Sequence, residues 1–137
     1  MKKLTHVLSL SAILFAAIII TSGCKKKEET PAPTVPAFTM TATTVNLVGG
    51  GFGLQFFAKC NNDDVKMTKV MITDPIASFT ETYNLNGTYF VKNEIFGLQA
   101  TDVAYTKSAG TWKFNFVGNR TADGTAFAVD VTLAISK

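Results

Sequence analysis

Apolar and polar residues alternate most clearly in the last third of the chain. Trp112, Phe114 and Phe116 share one side of a period-two pattern, with Lys113 and Asn115 on the other. After the turn-forming run Asn119 to Gly124, the residues Phe127, Val129, Val131, Leu133 and Ile135 alternate with Ala128, Asp130, Thr132 and Ala134. Successive side chains of a strand point to opposite faces, so both segments are strands with one apolar face, joined as a hairpin. Upstream, Phe52, Leu54, Phe56, Ala58 and Cys60 occupy one face of a strand that follows Gly49-Gly50-Gly51, glycines that permit a sharp bend at its start. The Thr-rich residues 38–47 predict a first strand with a change of face near Thr43. Lys66 to Thr73 predicts a strand ended by Asp74-Pro75, with Lys69 falling on its inward side, and residues 101–107 predict a further strand. Asn86-Gly87 is the pair favoured in two-residue type I′ hairpin turns, where both positions need positive φ. Centred there, a hairpin sets Leu85 opposite Thr88, Tyr83 opposite Phe90 and Glu81 opposite Lys92.

About seven short strands in roughly 100 residues, with turn signals every 8–12 residues, predict an all-β, immunoglobulin-like sandwich. A small up-and-down barrel is the alternative. Gly110-Thr111-Trp112 resembles the Gly-x-Trp of lipocalins, but theirs lies on the first strand and this one precedes nearly the last, which weakens the barrel reading.

The first residues follow another pattern. Lys2 and Lys3 precede an uncharged run of Leu, Ile, Ala, Phe and Val from Val7 to Ile20, broken only by Ser9 and Ser11. A membrane-spanning helix needs about 20 apolar residues, and a secretory signal about 7–15. The length and the basic start predict a signal peptide over 1–23, with an uncleaved anchor as the alternative. Thr21-Ser22-Gly23-Cys24 resembles a bacterial lipobox, departing from it at Thr21, where Leu, Val or Ile is usual. The resemblance implies that Cys24 becomes an acylated N-terminus, carrying a diacylglyceryl group and usually a third chain. At about 0.8 kcal/mol per buried methylene, two or more chains hold a protein firmly on its membrane.

Residues 24–36 then read as a tether, with Lys25 to Glu29 charged and Pro31, Pro33 and Pro36 favouring an extended, semi-rigid chain. Lys27-Glu28-Glu29 resembles the lysine-then-acidic signal that directs Bacteroidota-type lipoproteins to the outer face of the outer membrane. The expected location is therefore the cell envelope, on an outer-membrane lipoprotein facing either the surface or the periplasm. Residues 37–137 form the single β domain.

Dividing the chain this way changes the meaning of its charge. Thirteen basic residues against ten acidic ones give +3 overall, but five of the basic and two of the acidic residues precede residue 37. The domain keeps eight of each, and no basic footprint for nucleic acid remains. His6 is the sole histidine and lies in the signal. Histidine-dependent nucleophilic catalysis and histidine-containing zinc sites are excluded from the processed protein. No catalytic residue, cofactor or enzyme activity is expected. Cys60, alone once Cys24 is acylated, reads as a small core residue. Asn61-Asn62-Asp63-Asp64 is an oxygen-rich loop, read as a polar turn or as a candidate calcium loop without the spacing of an EF-hand.

Two functions remain in view. One is a binding module for a glycan or protein partner, using aromatic residues on otherwise polar faces: Phe57, Tyr89 and Tyr105. The other is a structural accessory of a larger envelope complex. The Ser22-Gly23-Cys24 junction, the Lys/Glu-rich tether and the closing Gly110 to Phe116 strand with its Asp123-Gly124 turn together resemble small lipoproteins of Bacteroidota-type bacteria. That resemblance implies location and fold, and no activity.

Overall fold

The computed structural model describes residues 34–76, 79–99 and 104–137. Eight strands follow one another: β1 (Phe38–Asn46), β2 (Phe52–Cys60), β3 (Val65–Thr73), β4 (Thr80–Phe90), β5 (Ile95–Gly97), β6 (Tyr105–Thr106), β7 (Gly110–Arg120) and β8 (Ala126–Ile135). No helix occurs among the described residues. One antiparallel sheet runs β1-β2-β5, with β6 also on β2, and the other runs β4-β3-β7-β8. This is an immunoglobulin-like order, in which β5 and β6 divide one strand position between them. The sheets share no ladder, so no closed barrel forms.

β5 and β6 lie on the same edge of β2, and the gap between them is bridged by a side chain. Gln99 accepts the Phe56 N–H at 3.1 Å and donates to the Leu54 carbonyl at 2.9 Å. An amide side chain thus does what a strand backbone would do there. The core lies between the sheets and is aromatic at its centre. Phe56 meets Trp112 at 4.8 Å and Phe114 at 5.0 Å, while Phe38 stacks on Phe116 at 4.2 Å. Cys60 belongs to this core, with 1% of its surface exposed.

The expected β7–β8 hairpin forms, with Trp112 opposite Leu133 and Phe116 opposite Val129. β1 has no bulge at Thr43: its pairing with β2 runs unbroken from Phe38 to Asn46, and its distal half is largely exposed. Of the strand expected over 101–107, the described part is the short β6, and residues 101–103 lie outside the description.

Asn86-Gly87 does not close a hairpin. Both residues take the positive φ that the pair favours, 51° and 80°, but β4 continues through them along β3. Three β4 residues, Leu85 to Gly87, lie opposite the single residue Thr68, which makes a bulge. The hairpin partner of β4 is β3, through the turn that Asp74-Pro75 begins: Thr73 faces Thr80, and Asp74 donates its N–H to the Phe79 carbonyl at 3.1 Å. Glu81 consequently faces Ile72, and Tyr83 faces Val70, in place of Lys92 and Phe90. The same irregularity at Thr68 resolves Lys69, because it shifts the phase so that Met67 and Val70 both point inward.

Candidate functional site

The aromatic residues singled out in the sequence do not gather at one place. Phe57 lies on the outer face of the β1-β2-β5 sheet, paired with Thr41 and Gly97 and half-buried, its ring over the glycine. Tyr89 is exposed near the end of β4, and its hydroxyl donates to Asp64 at 3.0 Å. Tyr105 is half-buried between the sheets near their other end, 5.7 Å from the Trp112 ring. Cys24 and Lys27, Glu28 and Glu29 lie outside the described residues.

Asn61, Asn62, Asp63 and Asp64 link β2 to β3 at the end where residue 34 enters the domain. Each of the four side chains is committed to another segment. Asn61 donates to the Thr39 hydroxyl at 2.8 Å. Asn62 accepts the Ala37 N–H at 2.8 Å and donates to the Val35 carbonyl at 3.0 Å, fixing the entering chain on both sides. Asp63 pairs with Arg120, and both side chains are largely covered. Asp64 accepts from the Lys92 N–H at 2.7 Å and from Tyr89.

Those bonds tune the groups that make them. The Lys92 N–H and then the Tyr89 hydroxyl hold the Asp64 carboxyl below its ordinary value, and the same bond raises Tyr89. Asp63 raises Arg120 further, while hydrogen bonds from Thr125 lower Asp123. Asn and Asp side chains readily satisfy nearby backbone groups in this way. The loop is a polar tie, with its oxygens turned toward protein partners. Among the described residues no three His, Cys, Asp or Glu side chains are grouped to hold a metal.

The opposite end carries the hairpin loops β1–β2 and β3–β4. Leu47 to Gly51 makes a tight loop in which Gly49, Gly50 and Gly51 all have φ near +90 to +103°, a region L side chains rarely enter. Val48 is wholly exposed at its tip. Phe52, Ile76 and Phe79 are also exposed at this end.

Between β4 and β6 lies an open groove of about 420 Å³, lined by Ile76, Phe79, Glu81, Tyr105 and Trp112, among others. Its size is that of a small-ligand cleft. Register explains why a carboxylate is there: Glu81 points the same way as buried Ile72, but on an edge strand where the opposite sheet is thin. Tyr105 is placed by its pairing with Leu54, and Trp112 is held by its Nε1–H donating to the Ser108 carbonyl at 3.0 Å. Burial raises the Tyr105 phenol above its ordinary value, and the charge of Glu81 and its hydrogen bond with the hydroxyl add to the rise. Tyr105 therefore stays a neutral hydrogen-bonding group at physiological pH.

Of the residues expected from sequence, only Tyr105 lies in this groove. Ile76 and Phe79 sit in a loop without periodicity, and a hairpin centred on Asn86-Gly87 sets Glu81 against Lys92 instead. Recognising Asp74-Pro75 as the hairpin turn was the signal that places all three together. Compared with models of known protein families, with curated proteins and with solved structures, the chain matches none.

Proposed function

We propose that the protein is a lipid-anchored, non-catalytic binding module of the cell envelope, attached through Cys24 and recognising a glycan or protein partner with the end of its sandwich opposite the entry of residue 34. The observation that carries this reading is the groove between β4 and β6, rimmed by exposed Ile76 and Phe79. Exposed apolar groups around a concave surface mark interaction sites. The Ser22-Gly23-Cys24 junction supports the anchor, and Lys27-Glu28-Glu29 supports the surface-exposed face of the outer membrane. Replacing Cys24 by Ser is expected to abolish labelling by radioactive palmitate and release the protein from membranes. Screening glycans and envelope proteins against the intact protein and the Phe79→Ala variant tests recognition; partners bound equally by both would overturn the site.

A second reading, a structural accessory of a larger envelope complex, is favoured by β8. This ten-residue strand ends its sheet, pairing among the described residues with β7 alone, and carries one charge, Asp130. Long apolar edges invite pairing with another chain. Under this reading, crosslinks to a stable complex would map to β8 and would leave the groove untouched.

A further inference from the structure

Glu81 and Asp74 are the two carboxylates lining a groove whose other walls include Ile76, Phe79, Tyr105 and Trp112. The pairing of Glu81 with Ile72 puts it on the inner side of β4, where it is solvent-exposed beside Phe79, Tyr105 and Trp112, and among the described residues no lysine or arginine forms an ion pair with it. Lys92, its expected partner, follows the far end of β4 and donates its backbone N–H to Asp64. A carboxylate beside aromatic and aliphatic surface suits a cation with an apolar stem: the stem lies on the hydrocarbon while the charged head meets the carboxylate. Arginine fits better than lysine, because its planar guanidinium both stacks on rings and grips a carboxylate with two hydrogen bonds.

The surface at this end of the sandwich points to the source of that cation. Val48, Phe52 and Ile76 are exposed apolar side chains at the same end. Apolar surface near a charged anchor is the anatomy of a protein interface, in which buried arginine is a frequent hot spot. We propose that the groove between β4 and β6 seats an arginine side chain of a protein partner, with Glu81 reading the charge and Phe79 and Tyr105 covering the stem. The proposal rests on the binding-module reading and specifies its ligand.

Trp112, the only tryptophan in the chain, lies buried beneath the groove with 1% of its surface exposed, so occupancy is read by titration calorimetry rather than by its fluorescence. The full-length lipoprotein in detergent micelles would be titrated with a blocked pentapeptide of glycine and alanine around a central arginine. The same peptide with citrulline, nearly the same shape without the charge, and a methyl glycoside would be run beside it. The expected result is a saturable millimolar response to the arginine peptide, at least about tenfold weaker for citrulline, with that preference abolished in Glu81→Gln. Equal binding of arginine and citrulline peptides, or a preference that survives Glu81→Gln, would overturn the inference. If the glycoside or the citrulline peptide bound as tightly as arginine and lost affinity in Phe79→Ala, the groove would stand as a binding site and the cation would fall. The absence of any saturable heat of binding with every probe would overturn both. The arginine–citrulline comparison uses the unaltered chain, so it holds even if a variant folds poorly.

Discussion

At the end where residue 34 enters, amide and carboxylate side chains of Asn61 to Asp64 bind the entering chain, the β4–β5 loop and the β7–β8 turn. At the opposite end, the β1–β2 and β3–β4 loops are closed chiefly by their own backbone and by the Asp74 side chain, which accepts the Ile76 N–H at 2.7 Å. Exposed apolar residues occur at both ends, with Val35, Val91 and Ile95 at the first and Val48, Phe52, Ile76 and Phe79 at the second. Apolar exposure alone therefore does not distinguish them. The difference is in the polar groups: at the entry end they bind other parts of the fold, whereas in the groove Glu81 meets a tyrosine hydroxyl and no cation among the described residues. The first arrangement fits structural fastening, and the second leaves charge for a partner to meet.

The largest expected effect lies at the entry end. A Cβ on Gly118 would meet the Lys66 carbonyl oxygen at 2.5 Å and the Met67 Cα at 3.1 Å. Backbone atoms cannot swing aside, so Gly118→Ala is expected to destabilise the domain by about 1–3 kcal/mol in chemical denaturation. Asn62→Ala, which leaves the Ala37 N–H and Val35 carbonyl without their partner, should cost about 1–2 kcal/mol. Comparable stability for either variant and the parent would mean that the entry end is not fastened as described.

Acid sharpens the contrast. Asp64 and Asp123 are held below the ordinary carboxylate value of 3.8. A lowered native value stabilises the fold fully above the unfolded value, and that stabilisation is lost as pH falls through the native value. Thermal unfolding should therefore shift downward below about pH 4, and Asp64→Asn should reduce that shift. The smallest effect belongs to the groove. Phe79→Ala, at an exposed loop position, should change stability by no more than about 0.5 kcal/mol while weakening partner binding.

Much of this architecture is written in the two-residue period. The β7–β8 hairpin follows because Phe114, Phe116, Val129 and Val131 must all face one core. Asn86-Gly87 shows where local chemistry stops: it specifies positive φ at two positions, which the chain adopts, but the same φ serves a bulge as well as a turn. The hydrogen-bond partner of β4 is a tertiary fact, decided by the Asp74 to Phe79 connection. Periodicity likewise marks Phe57 as outward-facing and says nothing of Gly97, the neighbouring-strand residue over which its ring lies. Tyr105 was legible as an aromatic of interest, but Glu81 became its neighbour only when β4 was paired with β3.

The central claim is that the end of the sandwich opposite the entry of residue 34 is the recognition surface. Its most direct test is photo-crosslinking in intact cells with benzoylphenylalanine placed at Phe79 in one variant and at Ile95, an exposed residue near the entry end, in another. The account predicts a discrete, competable adduct from position 79 and none from position 95. A discrete adduct from position 95 alone would contradict it.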